Sequence, residues 1–218
     1  MHRPGSAAVA DALVAMTMRL PYDAAQALAD VLPLLACGEK AAATAFSRLA
    51  DDHAFSAVVC ASLERIAAEE DVHFALLTGL AATLPPARVD PAQRRTSQHF
   101  HARLTQGGAV VHLARIAAID AAVCTILSRI LSRTTPIGNE PMTASLFAQI
   151  RRDESRHVAI ARAAIEAAPD RLGLRDEATR AREGLAALLE PVGAAFAALK
   201  VDPDALLRDV RRLPNRLL

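Results

Sequence analysis

The chain has no tryptophan, one tyrosine and six phenylalanines, so aromatic residues make up only 3% of its 218 residues, and its 9 glycines are thinly spread. Strands draw on aromatic and β-branched side chains, and tight hairpins on glycine. A composition that is 52% hydrophobic, dominated by alanine and leucine, therefore predicts an all-α protein. Cysteine is also scarce. Cys37, Cys60 and Cys124 are an odd, widely separated set, which argues against a disulfide framework and against a cysteine-rich zinc or iron-sulfur site, and leaves buried thiols as the expected role. Charge of one sign is missing as well. With 25 basic and 24 acidic side chains the formal net charge is +1, which supplies no overall field for nucleic acid or an anionic membrane. The opening MHRPGSAAVADALVAM is interrupted by Asp11, and no continuous apolar stretch is read as reaching membrane-spanning length. The expectation is a cytoplasmic protein with neither nucleic acid nor membrane as a partner. A chain of this length can bury a core without staples, and one domain over 1–218 is expected.

Periodicity and breakers predict helices at about 23–50, 54–83, 109–133 and 141–168, then 175–200 and a short helix from 203. Asp51-Asp52 and the Thr134 to Pro141 segment are short connections, which make antiparallel hairpins of the first and second pairs. Between the hairpins, residues 84–108 carry Pro85, Pro86 and Pro91 and a restart at Gly107-Gly108, so they read as a long crossover. Asp90-Pro91 and Asp202-Pro203 have the form of an N-cap followed by a first-turn proline, which places a short helix inside the crossover. The bundle core is expected over 23–168, with a C-terminal helical extension over 175–213.

What the chain does have is a repeated Glu-x-x-His: Glu70 with His73 and Glu154 with His157. Residues three apart share a helix face, so each motif aims a carboxylate and an imidazole at one point. With 10 Glu and 7 His, random placement gives roughly a third of one such motif. Both motifs interrupt apolar stripes. The first helix runs Leu28, Leu32, Leu35, Glu39, Ala42, Phe46, Leu49; the second Val59, Leu63, Ile66, Glu70, His73, Leu77. The third runs Leu113, Ile116, Asp120, Val123, Leu127, Ile130, and the fourth Phe147, Ile150, Glu154, His157, Ala161, Ala164. A polar group in a core stripe costs stability unless something satisfies it. Glu39, Glu70, His73, Asp120, Glu154 and His157 are thus expected to form one buried cluster, and a cluster of carboxylates in a low-dielectric interior calls for cations. Oxygen donors with one imidazole per metal suit iron or manganese. Asp153, just before Glu154, is a candidate acceptor for a ligand imidazole N–H. His99, His101 and His112 read as polar or capping residues near the crossover. Phe46, Phe74 and Phe147 read as core, and Arg151, Arg152 and Arg156 as a solvated face.

These residues resemble the ferritin-like di-iron carboxylate superfamily, in which two helices give one Glu each and the other two give Glu-x-x-His. The order Glu39, then Glu70 and His73, the crossover, Asp120, then Glu154 and His157 matches that pattern, and DESRHV looks like its fourth-helix signature. The resemblance implies a ferritin-like four-helix bundle, two antiparallel hairpins joined by the crossover, with additional C-terminal helices. It also implies two iron ions, with manganese as the alternative. His73 and His157 would be terminal ligands, Glu70 and Glu154 would bridge, and Glu39 and Asp120 would be terminal carboxylates. Asp120 departs from the commoner Glu.

Such a site can reduce dioxygen. The expected function is an oxygenase or oxidase of a small organic substrate, with Glu70 and Glu154 essential, a separate electron donor, and a monomeric or homodimeric assembly. The second histidine favours this, because iron-storage ferritins commonly lack it. A further reason is that the residues after the bundle offer a roof for a pocket. The alternatives are a ferroxidase or iron-storage protein and a non-catalytic helical bundle with a vestigial site. A rubrerythrin-like module would need four closely paired cysteines.

Overall fold

A computed structural model describes residues 19–167 and 173–213, and every regular element among them is helical. The N-terminal segment through Met16, and residue 168 at the end of the expected bundle core, lie outside the described residues. In chain order the helices are α1 (Tyr22–Ala50), α2 (Ala57–Ala81), α3 (Pro91–Leu104), α4 (Ala109–Ile130), α5 (Pro141–Glu166), α6 (Leu174–Leu189), α7 (Gly193–Ala198) and α8 (Pro203–Arg212).

Helix starts follow local chemistry. Ser56 accepts the Val59 N–H at the start of α2, and Asp90 accepts the Ala92 N–H at the start of α3. Glu140 caps Thr143 in α5, and Asp202 caps Ala205 in α8. Each satisfies an N–H that the first turn leaves unpaired. Both Asp-Pro pairs thus behave as the sequence predicts. The expected single helix over 175–200 is instead broken after Leu189 by a 3-10 turn, Glu190–Val192, before α7. Pro191, which brings no N–H, stands inside that turn. The expected helix over 109–133 ends at Ile130, where the Thr135 hydroxyl donates to the Ile130 carbonyl at 2.5 Å. Pro33 lies inside α1 and has no N–H to offer the Ala29 carbonyl one turn earlier.

α1 packs along α2, and α4 along α5, each pair joined by a short connection. α6 also packs along α4, while α3 packs on α1 and α6. α4 is, by length and composition, apolar enough to cross a membrane, with a mean hydropathy of 1.8, although His112, Arg115 and Asp120 interrupt its apolar run. In this fold 67% of that stretch is buried against other helices, and a core helix meets the same test. At the α3–α6 crossing Gly184 lets the Phe100 ring come close: a Cβ there would lie 2.6 Å from Phe100 Cε2.

The apolar interior is in two parts. One gathers the first half of α1, the ends of α2 and α3, the second half of α4, the start of α5, and α6 to α8. The other gathers Phe46 and Leu49 of α1, Leu63 and Ile66 of α2, Leu113 and Ile116 of α4, and Ala161 and Ile165 of α5. Phe46 and Phe147 are fully buried, one in each part, each such side chain contributing about 1.5–3 kcal/mol. A polar layer at mid-helix separates the two.

Candidate metal centre

That layer consists of the stripe-breaking residues. Glu39, Glu70, His73, Asp120, Glu154 and His157 are all buried, each on the inward face its helical period assigns. One donor atom from each of Glu39, Glu70, His73 and Glu154 lies within 4.8 Å of the others, a group that can hold a metal ion. His73 Nδ1 is 3.3 Å from Glu39 Oε2, 3.4 Å from Glu70 Oε2 and 3.2 Å from Glu154 Oε1. His157 falls outside that tight group but adjoins it, with Nδ1 2.9 Å from Glu70 Oε1 and 3.7 Å from Glu154 Oε2. The two imidazole rings stack at 5.8 Å between centroids. Asp120 is also outside the group. It is coupled electrostatically to Glu154 and Glu70, and it lines the same cavity as they do.

One oxygen each of Glu70, Asp120 and Glu154 is buried without a well-aligned hydrogen bond; those of Glu70 and Glu154 share the single His73 Nδ1 as an ion-pair contact, and Asp120 Oδ2 has no such contact. A buried carboxylate oxygen without a donor is costly. Buried carboxylate oxygens gathered around two imidazoles in this way fit a cation, as the grouping of Glu39, Glu70, His73 and Glu154 does. Protons stand in when no metal is bound. Burial, followed by Glu154 and Glu70, holds the Asp120 carboxyl well above the usual range. Burial likewise raises Glu39, against the pull of His73. Although burial opposes it, contacts with Glu154 and Glu70 push His157 up to about 11, and Glu154, Glu39 and Glu70 raise His73. Glu70 is lowered to about 2 against its burial, chiefly by His157 and His73.

The ring nitrogens facing away are held by a crossed pair of carboxylates. His73 Nε2 is 3.3 Å from Asp153 Oδ2, and His157 Nε2 is 2.9 Å from Glu69 Oε2. Each outer acid precedes the Glu of the opposite motif, so both fix ring orientation and leave Nδ1 facing the cluster. Asp153 takes the role its position suggests. Glu69 was missed, although extending each motif back by one residue, to acid-Glu-x-x-His, would have found it. Arg156 is exposed, as expected of a solvated face, and it also ties the two outer acids together, 2.7 Å to Glu69 and 2.8 Å to Asp153.

No family model, curated protein or solved structure matches this chain.

A cavity of about 660 Å³ opens onto the cluster, and its lining includes Glu39, Glu70, Asp120 and Glu154. Its walls are mostly apolar, among them Leu32, Leu77, Ile116, Ile119, Val123 and Ile126. The crossover helix α3 lines one side of it, and among the described residues of the C-terminal extension only Leu185 and Leu189 line it. Phe74 lines this cavity and is only half-buried, with Lys40 Nζ 5.6 Å from its ring centroid, whereas Phe46 and Phe147 are core. His101 and His112 line it too instead of capping helices, and His99 is exposed. The cysteines are half-buried, Cys37 on the cavity wall and Cys124 with its thiol 3.7 Å from the Arg151 carbonyl.

Proposed function

We propose that this chain is a ferritin-like di-iron protein that uses dioxygen to oxidise a small organic substrate, with manganese as the alternative metal. Glu39, Glu70, His73 and Glu154 would hold one metal, and His157 and Asp120, sharing Glu70 and Glu154, the other. Two reduced irons bound there would supply electrons to dioxygen.

The residues of the chain do the rest. Asp153 and Glu69 accept the outward N–H of His73 and His157, which keeps each Nδ1 turned inward as a donor, and Arg156 neutralises the two acids. The apolar walls exclude water from the reacting space and strengthen every charge interaction within it. Burial raises the pKa of Glu39 and Asp120, so metal binding there would compete with protons.

The observation that carries this reading is the cavity. Its 660 Å³ is the size of a small-molecule site, and it reaches the carboxylates directly. An iron-storage site needs room for ions but not an apolar chamber. The chain would work in the cytoplasm as a monomer or homodimer, supplied with electrons by a separate donor. Oxygen consumption by the reduced, iron-loaded protein should depend on reductant and stop in Glu70→Ala and Glu154→Ala. A many-subunit shell in light scattering, together with mineralisation of hundreds of irons, would overturn the proposal in favour of storage.

A further inference from the structure

The cavity has a charge pattern that the metal does not explain. Its acidic lining residues are Glu39, Glu70, Asp120 and Glu154, all of them in the cluster, whereas its basic ones are Lys40, Arg48 and Arg94. Lys40 is paired with Asp71 at 3.0 Å. Arg48 and Arg94 have no ion-pair partner among the described residues. Both are exposed, so they stand at the rim.

The two arginines stand on different helices, Arg48 on α1 and Arg94 on α3, and only Arg48 acts on a buried histidine through its charge. His112, on which the charge of Arg48 acts, lines the cavity, is only 7% exposed, and has no side-chain hydrogen-bond partner among the described residues. His112 is held neutral, its pKa lowered to about 4 by burial and then by Arg115 and Arg48. It therefore offers one N–H donor without a second charge. From this end the cavity runs down α1 past Ala45, Ala42, Ala41 and Gly38 to Glu39, with Ile116 of α4 opposite. Small and apolar side chains line this stretch, with Lys40 and Thr44 at its exposed edge. At 1.5 Å rise per residue, Arg48 lies about 13 Å along α1 from Glu39.

We infer that the substrate is an amphipathic organic anion, a carboxylate with an extended apolar body, whose head group binds Arg48 and His112 while its far end lies at the Glu39/Asp120 cluster. This rests on the proposed oxidase function for its meaning but not for its test. An arginine at the rim pairs with a carboxylate through two parallel hydrogen bonds while staying partly in water. The length of the path would select chain length.

The test is calorimetric titration of the full-length, as-isolated protein under anaerobic conditions, so that nothing turns over. The probes are octanoate, decanoate, dodecanoate and 1-decanol. Decanoate should bind more tightly than 1-decanol, and Arg48→Gln should weaken decanoate by about tenfold, the loss of a charge-assisted pair, with little change for 1-decanol. Retained 1-decanol binding also shows that the variant is folded. Arg94→Gln should leave both probes unchanged. Equal binding of acid and alcohol, a loss at Arg94 instead of Arg48, or decanoate binding that ignores Arg48 because its head sits on the metals would each overturn the inference. Head-group-dependent binding without oxygen uptake would sink the oxidase reading and keep this one. Oxygen uptake without head-group selectivity would do the reverse.

Discussion

Removing the metal should make this protein less stable as the pH rises, the reverse of what a paired surface carboxylate produces. In the metal-free fold Glu39, Asp120 and His157 all have raised pKa values, His157 at about 11. An unfolded chain releases these protons earlier, near the ordinary carboxylate and imidazole values. The stability they contribute is thus complete below the unfolded pKa and is lost as pH climbs toward the folded one. Glu70 has the opposite sign: lowered to about 2, it contributes above its unfolded value and loses that contribution only in strong acid. Between pH 7.5 and 9.5 the raised groups alone change the balance. Each proton that the fold keeps and the unfolded chain has lost costs about 1.4 kcal/mol per pH unit. One such proton over that interval is worth about 2.7 kcal/mol, a large share of a typical folding stability. Urea melts of chelator-treated protein, followed by circular dichroism at several pH values, measure the slope directly. With metal bound the displaced protons are already gone, so the loaded protein should show little slope. Stability of the metal-free protein that rises with pH over this interval, or equal slopes with and without metal, would refute the assignment of protons to the cluster.

Three further outcomes are expected. If the proposed pair of metals binds, His157→Ala should remove one of them and Asp120→Asn should weaken the same one; elemental analysis showing full loading in both variants would place neither residue at a metal. Arg156→Gln should change stability by less than about 1 kcal/mol, because Arg156 is 46% exposed and its ion pairs are screened. Metal affinity should still fall by about tenfold as the outer acids loosen their hold on the imidazoles, and a chelator competition assay that shows no loss would remove Arg156 from any role at the site. Gly184→Ala should lower thermal stability by about 1–3 kcal/mol, since its Cβ would meet the buried Phe100 ring at 2.6 Å; an unchanged melting temperature would mean that α3 shifts freely on α6.

The six cluster residues were legible in the sequence because each stands where the helical period demands an apolar residue, a local signal that survives without any knowledge of how helices pack. Asp90 and Asp202 were legible for the same reason, as caps with a proline beside them. The cavity was not. It is made where α3 crosses α1 and α6, a contact between segments far apart in the chain, and nothing local in QHFHARL announces that His101 faces a void next to Gly38. Glu69 and Arg156 look like ordinary surface charges until the opposite helix is in place, because their partners lie across the bundle. The break after Leu189 could have been read from Pro191 and Gly193, but the apolar periodicity on both sides masked it.

The mid-helix polar layer also bears on how the chain comes apart. Because it parts the interior into two apolar bodies, each of the four long helices is anchored at both ends by hydrocarbon and at its centre by ions. Sub-global opening takes the boundaries where packing is thinnest. Here such a boundary runs through the middle of every long helix instead of between them. In amide exchange on the metal-free protein, the turns around Glu39, Glu70, Asp120 and Glu154 should exchange before the helix segments on either side of them. A metal bound at the layer would then act as the rivet that makes two cooperative units melt as one.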